Sequence, residues 1–207
     1  MDKKTPAICV FCGSSHGAKP AYSSAAKQLG TLIGARGYSM VFGGGNVGLM
    51  GDAARAALAA GARVIGVLPN FLRRIESPLD GVEETLVPDM QARKTQMLGQ
   101  SDAFVVLPGG LGTLDELFEV LSISQLKAHD KPIVVIDTEN FFAPLWPVLS
   151  HVVREGFALR NIESLYHVVA TPDEAINKIG ALLNRPTHTH AGDDLSQSPP
   201  ADSDSAV

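Results

Sequence analysis

The fold of this chain is decided by residues 103–116, which read AFVVLPGGLGTLDE. The apolar run at 103–107 is typical of a buried strand, and residues 114–127 have the apolar spacing of a helix. A chain that leaves a strand through three glycines and enters a helix presents bare backbone N–H groups at the helix N-terminus, where phosphate binds. The stretch therefore predicts a strand–helix unit of an α/β fold with a phosphate site in its loop.

Two carboxylates, Asp115 and Glu116, lie in the predicted first turn of this helix. Acids are common in a first turn because they balance the helix dipole, so either could have a purely structural role. Consecutive helical residues diverge by about 100°, so only one of the two can face the loop. Glu119 shares a face with Glu116 one turn further on, and the spacing does not choose among these acids. An acid beside a phosphate loop indicates chemistry on a phosphorylated molecule.

Strand-like and helix-like segments alternate along residues 7–185. The pattern predicts strands at 7–12, 39–42, 63–68, 84–87, 103–107, 132–137 and 165–169. It predicts helices at 21–36, 49–60, 90–100, 114–127, 141–155 and 172–183, with an irregular stretch at 70–83. Because several strands are apolar nearly throughout, we expect a single-domain, doubly wound, Rossmann-like parallel sheet with helices on both faces. Residues 1–6 are expected to be an N-terminal extension, and residues 186–207 a disordered, acidic tail rich in Ser and Pro.

Three glycine loops follow predicted strands, and the fold class places them at one edge of the sheet. They are Gly13-Ser14-Ser15, Gly43-Gly44-Gly45-Asn46 and Gly109-Gly110-Leu111-Gly112. Residues 43–48 match the dinucleotide pattern GxGxxG, but they follow the second strand, and the third strand ends without the acid that binds a ribose hydroxyl. NAD or FAD binding is therefore disfavoured. The sequence also lacks the GxxxxGKS or GxxxxGKT pattern of P-loop ATPases.

Arg93 and Lys94 lie near the start of the helix predicted at 90–100. Cations at a helix N-terminus oppose the dipole, and the simplest explanation of such a pair is a solvated helix face. This helix start is, however, expected at the same sheet edge as the glycine loops. The two cations are therefore candidates to neutralise a phosphate or to hold a carboxylate.

Cys9 and Cys12 are three residues apart on the first predicted strand, so their side chains point to opposite faces. A shared metal ion or a redox pair is disfavoured, and we expect buried, reduced, structural thiols.

The net charge of −5 comes largely from the tail. Four Asp residues and no Lys or Arg follow residue 186, so residues 1–186 have 17 basic and 18 acidic side chains and a net charge of −1. No basic surface for nucleic acid is indicated. No apolar run reaches the roughly 18 residues of a membrane span, and the N-terminus lacks the apolar segment of a signal peptide. We expect a cytoplasmic protein that binds neither nucleic acid nor a membrane.

These motifs together closely resemble the "Lonely guy" family of cytokinin riboside 5′-monophosphate phosphoribohydrolases, whose members are often labelled lysine decarboxylases. The family motif PGGxGTxxE is complete at residues 108–116, and its companion MxxRK is complete at residues 90–94. Residues 12–15 and residues 43–51 resemble the other two glycine loops of the family, and the similarity extends over about residues 7–185. Ser122 stands where the family leads us to expect threonine.

The resemblance implies hydrolysis of a nucleoside 5′-monophosphate, such as AMP or an N6-substituted AMP, to free base and ribose 5-phosphate. It implies that Glu116 and Arg93 are catalytic, that no cofactor or metal is required, and that the protein forms a homodimer or a higher homo-oligomer through helices around residues 90–125. A non-catalytic nucleotide or molybdenum-cofactor carrier of the same fold is the alternative. The predicted substrate-binding residues are Ser14, Gly44, Gly45, Glu76, Lys94, Gly109, Gly110, Leu111, Gly112, Thr113, Leu114, Asp115 and Ser122.

Overall fold

The computed structural model describes residues 5–74, 79–158 and 161–184. Its strands are β1 (Ala7–Phe11), β2 (Ser39–Phe42), β3 (Val64–Pro69), β4 (Glu83–Val87), β5 (Ala103–Val106), β6 (Ile133–Ile136) and β7 (His167–Val169). Its helices are α1 (Pro20–Ala35), α2 (Gly48–Ala59), α3 (Asn70–Arg73), α4 (Met90–Gln100), α5 (Leu111–Gln125), α6 (Leu145–Arg154) and α7 (Pro172–Leu183). Short 3-10 turns lie at Thr138–Asn140 and Ile162–Leu165.

The seven strands form one parallel sheet in the order β4-β3-β2-β1-β5-β6-β7. The direction of strand addition reverses between β1 and β5, which pair in register with Val10 beside Val105. Ligands of such sheets bind outside the carboxyl ends of the strands at this reversal. The glycine loops that follow β1 and β5 are the two loops that flank it.

Helices cover both faces of the sheet. Helices α1, α2 and α7 pack on one face, where their buried residues include Leu29, Ala53 and Ile176. Helices α4, α5 and α6 pack on the other face, with Met97, Leu117 and Leu149 among theirs. Both sides of the central strands are therefore buried, which is why their sequences are apolar nearly throughout. The prediction of a doubly wound, Rossmann-like α/β fold is confirmed.

The two cysteines follow the alternation of a strand. Cys9 lies in the core beneath α4 and α5, whereas Cys12 lies in the core beneath α1 and α2. Both thiols are free and buried, and burial raises the pKa of each well above its ordinary value. The prediction of buried structural thiols is confirmed.

Several element boundaries differ from the predicted ones, most of all at α5. This helix begins at Leu111 rather than at residue 114, so Asp115 and Glu116 lie in its second turn, and the first-turn prediction was wrong. The physical reason is that a glycine costs a helix only about 1 kcal/mol, which does not prevent Gly112 from being helical. Helix α3 forms inside the predicted irregular stretch, α6 begins at Leu145, and β7 begins at His167.

The described helices include none that is long and apolar enough to cross a membrane. Residues 1–4, Glu76 and the predicted tail at 186–207 lie outside the described residues.

Candidate active site

The three glycine loops meet at the reversal of strand order. The Gly13 N–H donates to the Pro108 carbonyl at 3.1 Å, which joins the loop after β1 to the loop after β5. The Met50 N–H at the start of α2 donates to the Gly13 carbonyl at 3.3 Å. A Cβ on Gly109 would lie 2.8 Å from the Gly13 nitrogen and 2.1 Å from Oγ1 of Thr113, so only glycine fits there. The loops are therefore close-packed backbone.

The loop after β2 approaches the loop after β1 just as closely. Gly44 and Gly48 have φ angles of +81° and +59°, in the left-handed region that glycine adopts without a steric penalty. A Cβ on Gly48 would lie 2.3 Å from the carbonyl carbon of Ser14. Gly45, which lies between Gly44 and Gly48 in the sequence, is buried, whereas Ser14 is exposed. The structure thus brings the loop that contains Ser14 against Gly48, in the loop that also contains Gly44 and Gly45, and the binding of substrate by these three predicted residues stays a prediction.

The N-terminus of α5 opens onto this crevice. Gly110 is the residue that precedes the helix, and Gly110, Leu111 and Gly112 are all exposed. A helix of 15 residues with glycines at its start presents its first N–H groups and the positive end of its dipole to any anion that approaches. This is the arrangement that binds phosphate.

Arg93 and Glu116 form a buried ion pair beside the glycine loops. Nη2 of Arg93 lies 3.4 Å from Oε1 of Glu116, and the two side chains are only 11% and 12% exposed. A Cβ on Gly43 would lie 1.9 Å from the same Nη2, so the guanidinium occupies space that this glycine leaves open. Nε of Arg93 is buried and has no hydrogen-bond partner among the described residues. This buried donor is therefore left unsatisfied by the part of the protein that the structure describes.

Burial raises the pKa of Glu116 from its ordinary value to about 7, although the guanidinium of Arg93 opposes the increase. The neighbouring carboxylates Asp115 and Glu119 add to it. A carboxyl group whose pKa lies near neutrality can both accept and return a proton under ordinary conditions. Such perturbed acids in a crevice are typical of catalytic sites.

The structure distinguishes the two adjacent acids. The Asp115 side chain is 59% exposed, whereas that of Glu116 faces the crevice. Lys94 holds the outer acids, with its Nζ 3.2 Å from Oδ2 of Asp115 and 3.1 Å from Oε2 of Glu119. Although burial alone would lower the pKa of Lys94, hydrogen bonds to Glu119 and Asp115 raise it. Lys94 is therefore a charged link between α4 and α5.

Glu119 was not among the predicted site residues, although it lines the same cleft as Lys94 and Glu116. The signal that could have identified it is its spacing of three residues from Glu116, which places both on one helix face.

Three other predicted substrate-binding residues lie in different environments along α5. Leu114 packs against the core beneath α5, Thr113 is buried against Gly109, and Ser122 is exposed further along α5. Their contacts with substrate stay predictions.

Among the described residues, no group of three or more His, Cys, Asp or Glu side chains converges as a metal site would require. The fold and the crevice together define a Rossmann-like α/β protein with a buried carboxylate–guanidinium pair at its switch point.

The sequence matches the family model described as "Possible lysine decarboxylase" over residues 50–179. It is 44% identical over 173 residues to a probable cytokinin riboside 5′-monophosphate phosphoribohydrolase of Oryza sativa subsp. japonica, which covers 83% of this chain and 71% of that relative. It is 40% identical over 180 residues to a cytokinin riboside 5′-monophosphate phosphoribohydrolase of Arabidopsis thaliana, which covers 86% and 84%. The chain therefore belongs to the cytokinin riboside 5′-monophosphate phosphoribohydrolase family.

Solved structures with the same fold include molybdenum-cofactor proteins. The molybdenum cofactor carrier protein of Chlamydomonas reinhardtii superimposes with a TM-score of 0.68 at 25% identity, covering 88% of this chain and 100% of that chain. The molybdenum cofactor binding protein of Rippkaea orientalis gives a TM-score of 0.67 at 26% identity, covering 87% and 99%.

Proposed function

We propose that this protein hydrolyses the N-glycosidic bond of a nucleoside 5′-monophosphate, AMP or an N6-substituted AMP of the cytokinin riboside type, and releases free base and ribose 5-phosphate. The observation that carries this proposal is the buried Arg93–Glu116 pair, which lies next to three close-packed glycine loops. The relatives at 40–44% identity, all phosphoribohydrolases by name, support the same activity.

Glycosidic cleavage needs a carboxylate beside the reacting carbon. The bond between C1′ and the base nitrogen breaks, its electron pair leaves on the base, and C1′ acquires oxocarbenium character that an adjacent carboxylate stabilises. Water then adds its oxygen to C1′, and the proton that it releases passes to Glu116 and on to the base. In the other route open to Glu116, the carboxylate attacks C1′ and water hydrolyses the resulting ester. A glycosyl ester on Glu116, detected by mass spectrometry of a quenched reaction, would identify that second route.

We assign the binding of the 5′-phosphate to the glycine loops and to the N-terminus of α5. Backbone N–H groups fix the phosphate, so binding energy from a part of the substrate that does not react positions C1′ against Glu116. Arg93 orients the Glu116 carboxylate. Lys94 keeps Asp115 and Glu119 paired, which leaves Glu116 as the reacting acid.

We further propose a homodimer, or a higher homo-oligomer, with its interface on α4 and α5. Leu111 and Leu126 lie at the two ends of α5 and are 86% and 76% exposed, and Met90 at the start of α4 is also exposed. Exposed large apolar side chains around one pair of helices are typical of an interface. Size-exclusion chromatography with light scattering tests the assembly, and the variant Leu126→Asp is expected to shift it toward the monomer.

The decisive experiment is to incubate the protein with AMP and with N6-isopentenyl-AMP and to separate the products by chromatography. We expect free base and ribose 5-phosphate in equal amounts. Glu116→Gln keeps the shape of the side chain but removes the carboxylate, and it is expected to abolish base release. Glu163→Gln, at an exposed site far along the chain, serves as the matched control with normal turnover.

A non-catalytic carrier is the second candidate, and the likeness to the molybdenum-cofactor proteins favours it. A carrier would retain its ligand without releasing base from AMP, and its activity would not depend on Glu116. The buried carboxylate with a pKa near 7 is of no evident use to a carrier, which is why we favour the hydrolase. The compartment, which the sequence predicts to be the cytoplasm, stays a prediction.

A further inference from the structure

A second buried carboxylate, Asp52, lies behind the glycine loops and has no part in the reaction as described above. It belongs to α2, and its side chain is only 6% exposed. Oδ2 of Asp52 accepts a hydrogen bond of 2.5 Å from the Ser23 hydroxyl on α1, and Oδ1 lies 3.0 Å from Nη2 of Arg55. A buried charge is retained in a fold only when it is paired and hydrogen-bonded, as this one is.

Asp52 contacts the loop after β1 through His16. Nε2 of His16 lies 3.3 Å from Oδ2 of Asp52, and the imidazole itself is 57% exposed. His16 follows Ser14 and Ser15, whose backbone forms one wall of the crevice against Gly48. The histidine therefore ties an otherwise exposed loop of small residues to a buried anchor.

The same carboxylate reaches the loop after β2 through Arg55. Nη2 of Arg55 binds Asp52, while Nη1 of the same guanidinium donates to the Asn46 carbonyl at 3.0 Å. One guanidinium thus spans from the buried carboxylate to the backbone of the second glycine loop. Two of the three loops that form the crevice are consequently attached to a single side chain.

Burial alone would raise the pKa of Asp52, but hydrogen bonds from Ser23 and Arg55, together with the charges of Lys27 and His16, lower it below its ordinary value. The carboxylate is therefore ionised at neutral pH. Because the acceptor is ionised, its hydrogen bonds from Ser23 and Arg55 are charge-assisted, and such hydrogen bonds are stronger than neutral ones.

We propose that Asp52 is a positioning residue for substrate phosphate, because it holds the loops after β1 and β2 in the register that aims their N–H groups at one anion. The inference rests on the proposed function, in which these loops bind the 5′-phosphate. Glycine loops contribute no side chains to fix their own geometry, and backbone donors lose most of their value when they are misaligned. Asp52, behind the loops, fixes their geometry without contacting the substrate.

The test compares wild type with Asp52→Asn, which keeps the volume of the side chain and removes its charge. We expect KM for AMP and the dissociation constant for ribose 5-phosphate, measured by calorimetry, to rise about tenfold, while kcat changes by less than about twofold. Adenosine, which lacks the phosphate, should be cleaved by both proteins with the same kcat/KM. Asp80→Asn, at an exposed turn, is the matched control and should leave all four quantities unchanged.

Equal affinity of wild type and Asp52→Asn for ribose 5-phosphate would overturn the inference, as would an equal loss of activity toward AMP and adenosine. If Asp52→Asn does not fold, His16→Ala tests the exposed end of the network, with an expected rise in KM for AMP of about threefold and no change toward adenosine. Failure of the proposed function is a separate result, in which wild type binds ribose 5-phosphate but releases no base from AMP.

Discussion

The crevice has two unlike walls. The wall after β1 and β2 consists of close-packed backbone, where Gly48 contacts the loop that contains Ser14. The wall between α4 and α5 consists of charged side chains, and Arg93 and Glu116 are nearly buried there. Gly43 is where the two walls touch, because the guanidinium of Arg93 occupies the space above its Cα.

In the proposed function, this difference separates the binding of phosphate from the chemistry at C1′. Backbone N–H groups do not titrate, so the glycine wall can hold a phosphate in the same way across a wide range of pH. The charged wall contains a carboxyl group with a pKa near 7, so its protonation changes within the physiological range. Variants of the charged wall should therefore reduce turnover, and variants of the glycine wall should weaken the binding of phosphate.

The largest effect is expected for Arg93→Ala. The guanidinium orients the Glu116 carboxylate and lowers the pKa of Glu116. Without this cation, kcat with AMP should fall about 10³-fold. The dissociation constant for ribose 5-phosphate should change by less than about threefold, because the glycine wall is intact. Arg154→Ala, at the exposed end of α6, is the control. A parallel loss of ribose 5-phosphate affinity would show that Arg93 belongs to the phosphate site.

The next effect is expected for Gly43→Ala, which disturbs the contact between the walls. The new Cβ would lie 1.9 Å from Nη2 of Arg93, so the guanidinium must move, and kcat should fall about 100-fold. Gly99→Ala on α4 is the matched control, because a Cβ there meets no described atom within 4 Å. Steady-state kinetics measure kcat of both variants. Normal turnover in Gly43→Ala would contradict the close contact between Gly43 and the Arg93 guanidinium.

A smaller effect is expected from pH. The proposed mechanism uses the carboxylate form of Glu116, so kcat should increase with pH through about 7 and fall about tenfold for each unit below it. The affinity for ribose 5-phosphate should vary by less than about threefold between pH 6.5 and 8.5, where its phosphate is largely dianionic. A kcat that is flat or decreases with pH over this range would exclude the ionised carboxylate as the reacting group.

The smallest effect is expected on stability. The folded state holds the proton of Glu116 more tightly than the unfolded chain, so the free energy of unfolding decreases as pH rises from about 4.5 to 7. Glu116→Gln removes this penalty and should be more stable than wild type at pH 8 by on the order of 2 kcal/mol. The difference should nearly vanish at pH 5. Thermal unfolding of Glu116→Gln and of wild type measures the stability difference at each pH. The same difference at pH 8 and at pH 5 would point to a cause other than ionisation of Glu116.

Much of the fold could be predicted because its strands are short, apolar runs and its helices are amphipathic. The prediction that the three glycine loops lie at one edge of the sheet is also confirmed, because they follow the parallel neighbours β2, β1 and β5. The start of α5 was wrong by three residues, since local sequence does not reveal whether Gly112 ends a loop or begins a helix. Glu119 was considered beside Glu116 but was not among the predicted site residues, because its spacing shows a shared helix face and not its pairing with Lys94.

The sequence by itself determined the class of fold and the positions of the glycine loops, and its family motifs made Arg93 and Glu116 the predicted catalytic residues, because each of these features depends on patterns within a few neighbouring residues. Only the tertiary structure decided that Glu116 is buried while Asp115 faces solvent. It also decided that Gly43 makes room for Arg93 and that Asp52 joins two loops. Such contacts join residues that are distant along the chain, and their geometry follows from how the helices pack on the twisted sheet.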